Sequence, residues 1–177
     1  MADATPQDTA ELDRRIAEVV DQQRRLVLPR FTNDDAWDLG CRLVELARER
    51  DLPITVDVRR HGHVLFHASR PGTSPDNDTW VERKVRVVDR FGAPSFLVGL
   101  RARRAGRTFA EQSGLSVQEY AAHGGSVPLT VRDVGPVGTV TVSGLAQADD
   151  HDLAVEALGW LCARLDGTAS AAGEARG

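Results

Sequence analysis

Lysine is almost missing from this sequence. Of 22 Lys and Arg residues, Lys84 alone is a lysine. Cysteine is scarce as well. Cys41 and Cys162 stand far apart inside helical patterns, without metal-ligand spacing, and read as buried free thiols of a reducing compartment. No apolar run approaches the roughly 18 residues that a membrane-spanning helix needs. The opening MADATPQDTAELDRR has neither the basic n-region nor the apolar h-region of a secretory leader. The expected location is the cytoplasm. A net charge of −4 argues for neither nucleic acid nor an acidic membrane as partner. Two catalytic strings are missing too. Gly135-Pro136-Val137-Gly138 lacks the Gly-Lys-Ser/Thr of a nucleotide loop and falls in a hairpin. There is no G-x-S-x-G elbow.

What remains is an ordinary balance, 41% hydrophobic and 27% charged residues in a chain of 177, enough to bury one core. Apolar spacing predicts a helix from Thr9, its N-cap, to Arg25. A second begins at Thr32 or Asn33 and stops before Pro53. The period then changes to two. Ile54, Val56 and Val58 alternate with polar residues as in a half-buried strand, and a turn at Gly62 leads into Val64, Phe66 and Ala68. A helix follows PGTSPDND, with Val81, Val85 and Val88 inward, and Gly92 ends it. Ser95 is expected to cap Phe96–Ala105, and Ser116 and Glu119 read as a capping box. VPLTV and VGTVTVSG form a second hairpin. A last helix starts at Asp149 or Asp150. The order α α β β α α β β α, with strands in hairpins, predicts an α/β (α+β) fold with a mainly antiparallel sheet between helices. One domain, residues 9–166, is expected between a disordered N-terminus (1–8) and a disordered tail of small residues (167–177).

Several side chains stand out. Asp76, Asn77 and Asp78 can each cap the helix they open, yet one cap suffices, so the others are free for a ligand, a loop or a subunit. Trp80 and Lys84 lie one turn apart on that helix, where a lysine stem can lie over the indole. His67 ends a strand beside this loop. His123-Gly124-Gly125-Ser126 is a loop whose glycines let its backbone approach an anion closely. His151 sits in the first turn of the last helix. His61 and His63 straddle a turn glycine, and no metal is assigned to them. Between Glu82 and Arg107, eight basic residues (Arg83, Lys84, Arg86, Arg90, Arg101, Arg103, Arg104, Arg107) face two acids (Glu82, Asp89). This stretch reads as solvated helix faces, an anion-attracting surface or a subunit interface.

The strings LFH, PGTSPDNDTWVERKVRVVDRFG, AAHGGSVPL and VGTVTVSGL with DDHDLAVEAL resemble the HbpS/GlcG-like, or haem-degrading-domain, superfamily. The resemblance runs from about Leu26 to Leu165 and is nearest to a branch of small intracellular proteins. It implies a profilin-like α-β-α sandwich and a homo-oligomer built from dimers. The superfamily's label comes from secreted haem-binding members. With no leader and no C-x-x-C-H string here, any haem is expected to be held non-covalently, by an axial histidine such as His67 or His123. The motif positions are His67, Asp76, Asn77, Asp78, Trp80, Lys84, His123, Gly124, Gly125, Ser126 and His151, with Pro75. They are expected to line a pocket for haem or a small anionic ligand. Two other readings stay open: a subunit interface anchored by Trp80 and the PDND loop, and an enzyme in which Lys84 forms a Schiff base with His123 or His151 as acid or base.

Overall fold

The computed structural model describes residues 6–174, with side-chain exposure described for 7–167. Pro6, whose fixed φ suits a first helical turn, opens α1 (Pro6–Arg25). Thr9 therefore lies inside the helix and is not its cap; residues 1–5 are outside the described range. After β1 (Val27–Leu28), Thr32 caps α2 (Asn33–Glu49) in a reciprocal box with Asp35. A hairpin follows, β2 (Thr55–Arg60) and β3 (His63–Ser69). Its two-residue turn, His61-Gly62, has φ of 48° and 78°, as a tight primed turn requires. Then come α3 (Pro75–Phe91), ended by left-handed Gly92, α4 (Ser95–Arg104) and α5 (Phe109–Ser113). The short α5 is opened by a Thr108–Glu111 box and ended by left-handed Gly114. Ser116–Glu119 makes only a turn, with Glu119 N–H donating to the Ser116 carbonyl. β4 (Ser126–Val131) and β5 (Gly135–Ser143) form the second hairpin, and α6 spans Gln147–Glu174. This alanine-rich helix runs through Gly167 into the residues expected to form a disordered tail; residues 175–177 are outside the described range.

The five strands lie in the order β1-β4-β5-β2-β3. β1 pairs with β4 in parallel and every other pair is antiparallel. α2 and α6 pack on one face, α3 and α4 on the other, and α1 packs on α4. The fold is thus a profilin-like α-β-α sandwich. None of the described helices is long and apolar enough to cross a membrane.

The two sheet faces differ in chemistry. Val56, Val58, Val140 and Val142 join the core with Leu39, Leu43, Leu158 and Leu161 from α2 and α6. The alternate residues Thr55, Asp57, Thr139, Thr141 and Ser143, with Ser126 from β4, lie buried on the other face. Alternation in β2 suggested a strand half open to water. Instead α3 covers the polar face. Strong period-two patterning thus marks a polar buried layer, and the candidate site is built beside it.

Candidate functional site

The start of α3 distributes its polar residues among three tasks. Asn77 Oδ1 accepts the Ser74 N–H at 2.9 Å, and its amide nitrogen donates to the Ser143 carbonyl at 3.3 Å. Asn77 thus ties the helix start to the end of β5. Asp76 accepts the Trp80 indole N–H at 3.1 Å. Asp78 meets His67 Nε2 at 3.2 Å. The cation over the Trp80 ring is Arg83, 4.4 Å from its centroid, and not Lys84.

Lys84 points the other way. Positions 81, 84, 85 and 88 form the inward stripe of α3, so the lysine sits where the pattern calls for an apolar residue. It is 3% exposed. Its ammonium donates to Asp150 Oδ2 at 2.8 Å and to the Val142 carbonyl at 3.0 Å. Asp150, in the first turn of α6, also accepts the Leu145 N–H at 2.9 Å and the Gly144 N–H at 3.4 Å. Burial draws the Lys84 pKa down and pushes that of Asp150 up, while their mutual attraction opposes both shifts.

The His123–Ser126 loop lies over this pair. Gly125 has φ +125°, and a Cβ there would stand 2.2 Å from the Val142 oxygen and 2.7 Å from Lys84 Nζ. A Cβ on Gly124 would stand 1.7 Å from the Gln147 carbonyl oxygen. Only glycine allows either approach. Ser95 fixes the loop. Its hydroxyl contacts the His123 carbonyl at 2.6 Å and accepts the Ser126 N–H at 3.2 Å. The expected Ser95 cap is thus an anchor between elements, because the hydroxyl faces the loop and not its own helix. His123 meets Trp80 edge to face, with ring centroids 5.3 Å apart. Burial and the charges of Lys84, Arg83 and Arg103 lower its pKa, favouring the neutral ring.

Between these elements opens a cleft of about 250 Å³. Lys84 and Asp150 lie at its base. Asn77, Trp80, His123 and Gln147 contribute its walls, with Ser143–Leu145 closing one side.

Not every motif position reaches it. His67 sits at the β2–β3 pairing, its Nδ1 3.2 Å from Asp57 and its Nε2 on Asp78. Asp57 is fully buried and is held by Arg59, which also reaches Glu82 on α3. Ser126 points its hydroxyl at Thr141, 2.9 Å away. His151 is fully buried between helices. Its Nε2 lies 3.0 Å from Gln22 Oε1, its ring packs on Phe96, and burial lowers its pKa to about 4. Among the described residues no His, Cys, Asp and Glu group has the arrangement to hold a metal. Cys162 is buried but Cys41 is only partly so; both are free. Part of the basic stretch is spent on structure: Arg83 and Arg86 donate to the Val117 and Glu119 carbonyls, and Arg104 pairs with Asp13. Sequence reasoning missed Asp150 as the partner of Lys84, and the Asp57–Arg59–Glu82 group. The signal for the first was present, since a lysine in an apolar stripe needs a buried counter-charge.

The family model described as haem degrading protein HbpS-like matches residues 31–159. The chain belongs to this HbpS-like family. The match takes in every cleft residue named above. Relatives of the HbpS-like chain include a UPF0303 protein of Streptomyces coelicolor, 59% identical over 150 residues, covering 85% of this chain and 95% of that one. A UPF0303 protein of Paraburkholderia phytofirmans is 46% identical over 144 residues, covering 81% and 86%. Among solved structures, the Ybr137w protein superposes with a TM-score of 0.78 at 32% identity, over 94% of this chain and 99% of that one. A double mutant of Streptomyces reticuli HbpS has a TM-score of 0.59 at 22% identity, covering 75% and 87%. The PduOC–haem complex reaches 0.63 at 18%, covering 73% and 93%. These last two likenesses are of fold.

Proposed function

We propose that this protein is a cytoplasmic binding protein for a small carboxylate, held in the cleft above Lys84 and Asp150. The observation that carries this reading is the convergence of α3, the His123 loop and the start of α6 on one buried ammonium. That ammonium has three N–H donors, and Asp150 and Val142 take two. The Asn77 and Gln147 amides stand at the walls, and Trp80 offers an apolar face. A volume of about 250 Å³ lies just below the roughly 300–1,000 Å³ of sites for drug-sized molecules. It suits a ligand of a few heavy atoms.

Haem fits this cleft poorly. At about 250 Å³ it is smaller than the sites that enclose drug-sized molecules, and a tetrapyrrole is larger still. Both His67 ring nitrogens face carboxylates, and His151 is enclosed in a separate core. Of the three histidines among the motif positions, that leaves His123, packed edge-on to Trp80. Self-association is a second element of the proposal, supported by Trp37, 61% exposed on α2 and edge-on to Phe66, and by Val64, 44% exposed on edge strand β3.

Calorimetric titration with acetate, lactate and pyruvate, beside an optical titration with haemin, tests the binding reading. Saturable heat with at least one carboxylate, weakened in Trp80→Ala and His123→Ala, is expected. No saturable binding of any of the three, or a stoichiometric Soret shift that His123→Ala abolishes, would overturn it.

A further inference from the structure

We propose that Lys84 captures a small 2-oxo acid as an imine, with Asp150 as the partner that accepts and returns the proton. This deepens the carboxylate-binding reading and rests on it. Three independent observations carry it.

The first is the geometry. The Lys84 amine lies at the base of an open cleft, 2.8 Å from a carboxylate oxygen. A purely structural counter-ion for Asp150 would gain nothing from lining a cleft. The second is the residue type. Every other basic Lys or Arg position in the chain is arginine. An arginine would pair with Asp150 in two-pronged fashion but cannot give up its proton, whereas a buried lysine can. Burial here does favour the neutral amine and the protonated carboxyl. The third is Gly125: a Cβ there would stand 2.7 Å from Nζ, so any other residue would crowd the amine.

The step balances without a further reagent. Asp150 takes one proton from the ammonium. The neutral amine adds to the carbonyl carbon, and a proton moves from nitrogen to the new alkoxide, giving a carbinolamine. The C–O bond then breaks, and the departing hydroxide leaves as water with the proton returned by Asp150. Ammonium plus ketone has become iminium plus water, with the charge unchanged. The acid group of the substrate would meet Asn77, whose amide nitrogen has a second N–H beyond the one given to Ser143, with Gln147 at the same wall.

Borohydride reduction in the presence of pyruvate tests this, read by intact mass and peptide mapping. With one lysine in the chain, only the N-terminal amine competes. One reduced pyruvyl adduct per chain, on the peptide containing Lys84, is expected. Acetate should protect against it, and Asp150→Asn should slow it by roughly tenfold or more. Pyruvate that binds calorimetrically while Lys84 stays unmodified overturns the imine and leaves the binding reading intact. Absence of both binding and adduct overturns both. Labelling that is equally fast in urea-unfolded protein, or that occurs with propionaldehyde but not pyruvate, overturns the 2-oxo acid assignment.

Discussion

Lys84 of α3 and Asp150 of α6 meet at 2.8 Å with only 3% and 2% of their surfaces exposed. They join helices from opposite faces of the sheet around the end of β5, where Lys84 also holds the Val142 carbonyl. Desolvating two charges is costly, and their attraction and hydrogen bonds only offset it. Such a pair is poor at adding stability but unforgiving when halved.

Lys84→Met or Asp150→Asn alone should therefore cost about 3–5 kcal/mol, because each strands a buried polar or charged partner. The double substitution should cost clearly less than the sum. Urea unfolding of the four proteins gives the coupling. Additive losses would show that the pair does not act as a unit.

Gly125→Ala should destabilise by about 1–3 kcal/mol through its left-handed backbone alone. It should also abolish carboxylate binding, since its Cβ would meet Lys84 Nζ and the Val142 oxygen. Gly62→Ala is the control. It is also at positive φ, but nothing lies within 4 Å of its Cβ position. It should lose stability while keeping binding.

Ser95→Ala should lose about 1–3 kcal/mol, leaving the buried Ser126 N–H without its acceptor. Binding should weaken as well, because the same hydroxyl positions the His123 carbonyl. Unchanged binding with lowered stability would separate the anchor from the cleft.

His151 gives a pH dependence of fixed sign. Its pKa falls from 6.5 to about 4 on folding, so between these values the unfolded chain takes up a proton that the folded one refuses. Stability is complete above pH 6.5 and is lost as the pH falls toward 4, by about 3 kcal/mol. His151→Gln should flatten this part of the curve in urea unfolding from pH 7 to 4.5. A wild-type curve with no such fall would contradict the burial of His151.

Much of the fold could be read from local chemistry. Gly92, the cap expected at Thr32 or Asn33 and the turn at Gly62 each end or begin an element through requirements of the backbone itself. The site was less legible. Asn77, Trp80, Lys84, His123 and Gly125 were named and do come together. His67, Ser126 and His151 were named with them, yet their partners are Asp57, Thr141 and Gln22, contacts that depend on tertiary packing and leave no periodic trace. The polar strand face was misread for a related reason: alternation shows that two faces differ, not that one meets water. Asp150 stood in a run of acids at a helix start, where any of them could serve the helix dipole. Only Lys84 in the stripe of α3 singles it out.

The central claim is that the Lys84–Asp150 cleft holds a small carboxylate. A crystal structure of the protein soaked with pyruvate tests it most directly. The account predicts added density between Trp80, His123 and the Lys84 amine, within bonding or hydrogen-bonding reach of Nζ. A cleft filled by a second copy of the chain, or pyruvate density only elsewhere on the surface, would contradict it.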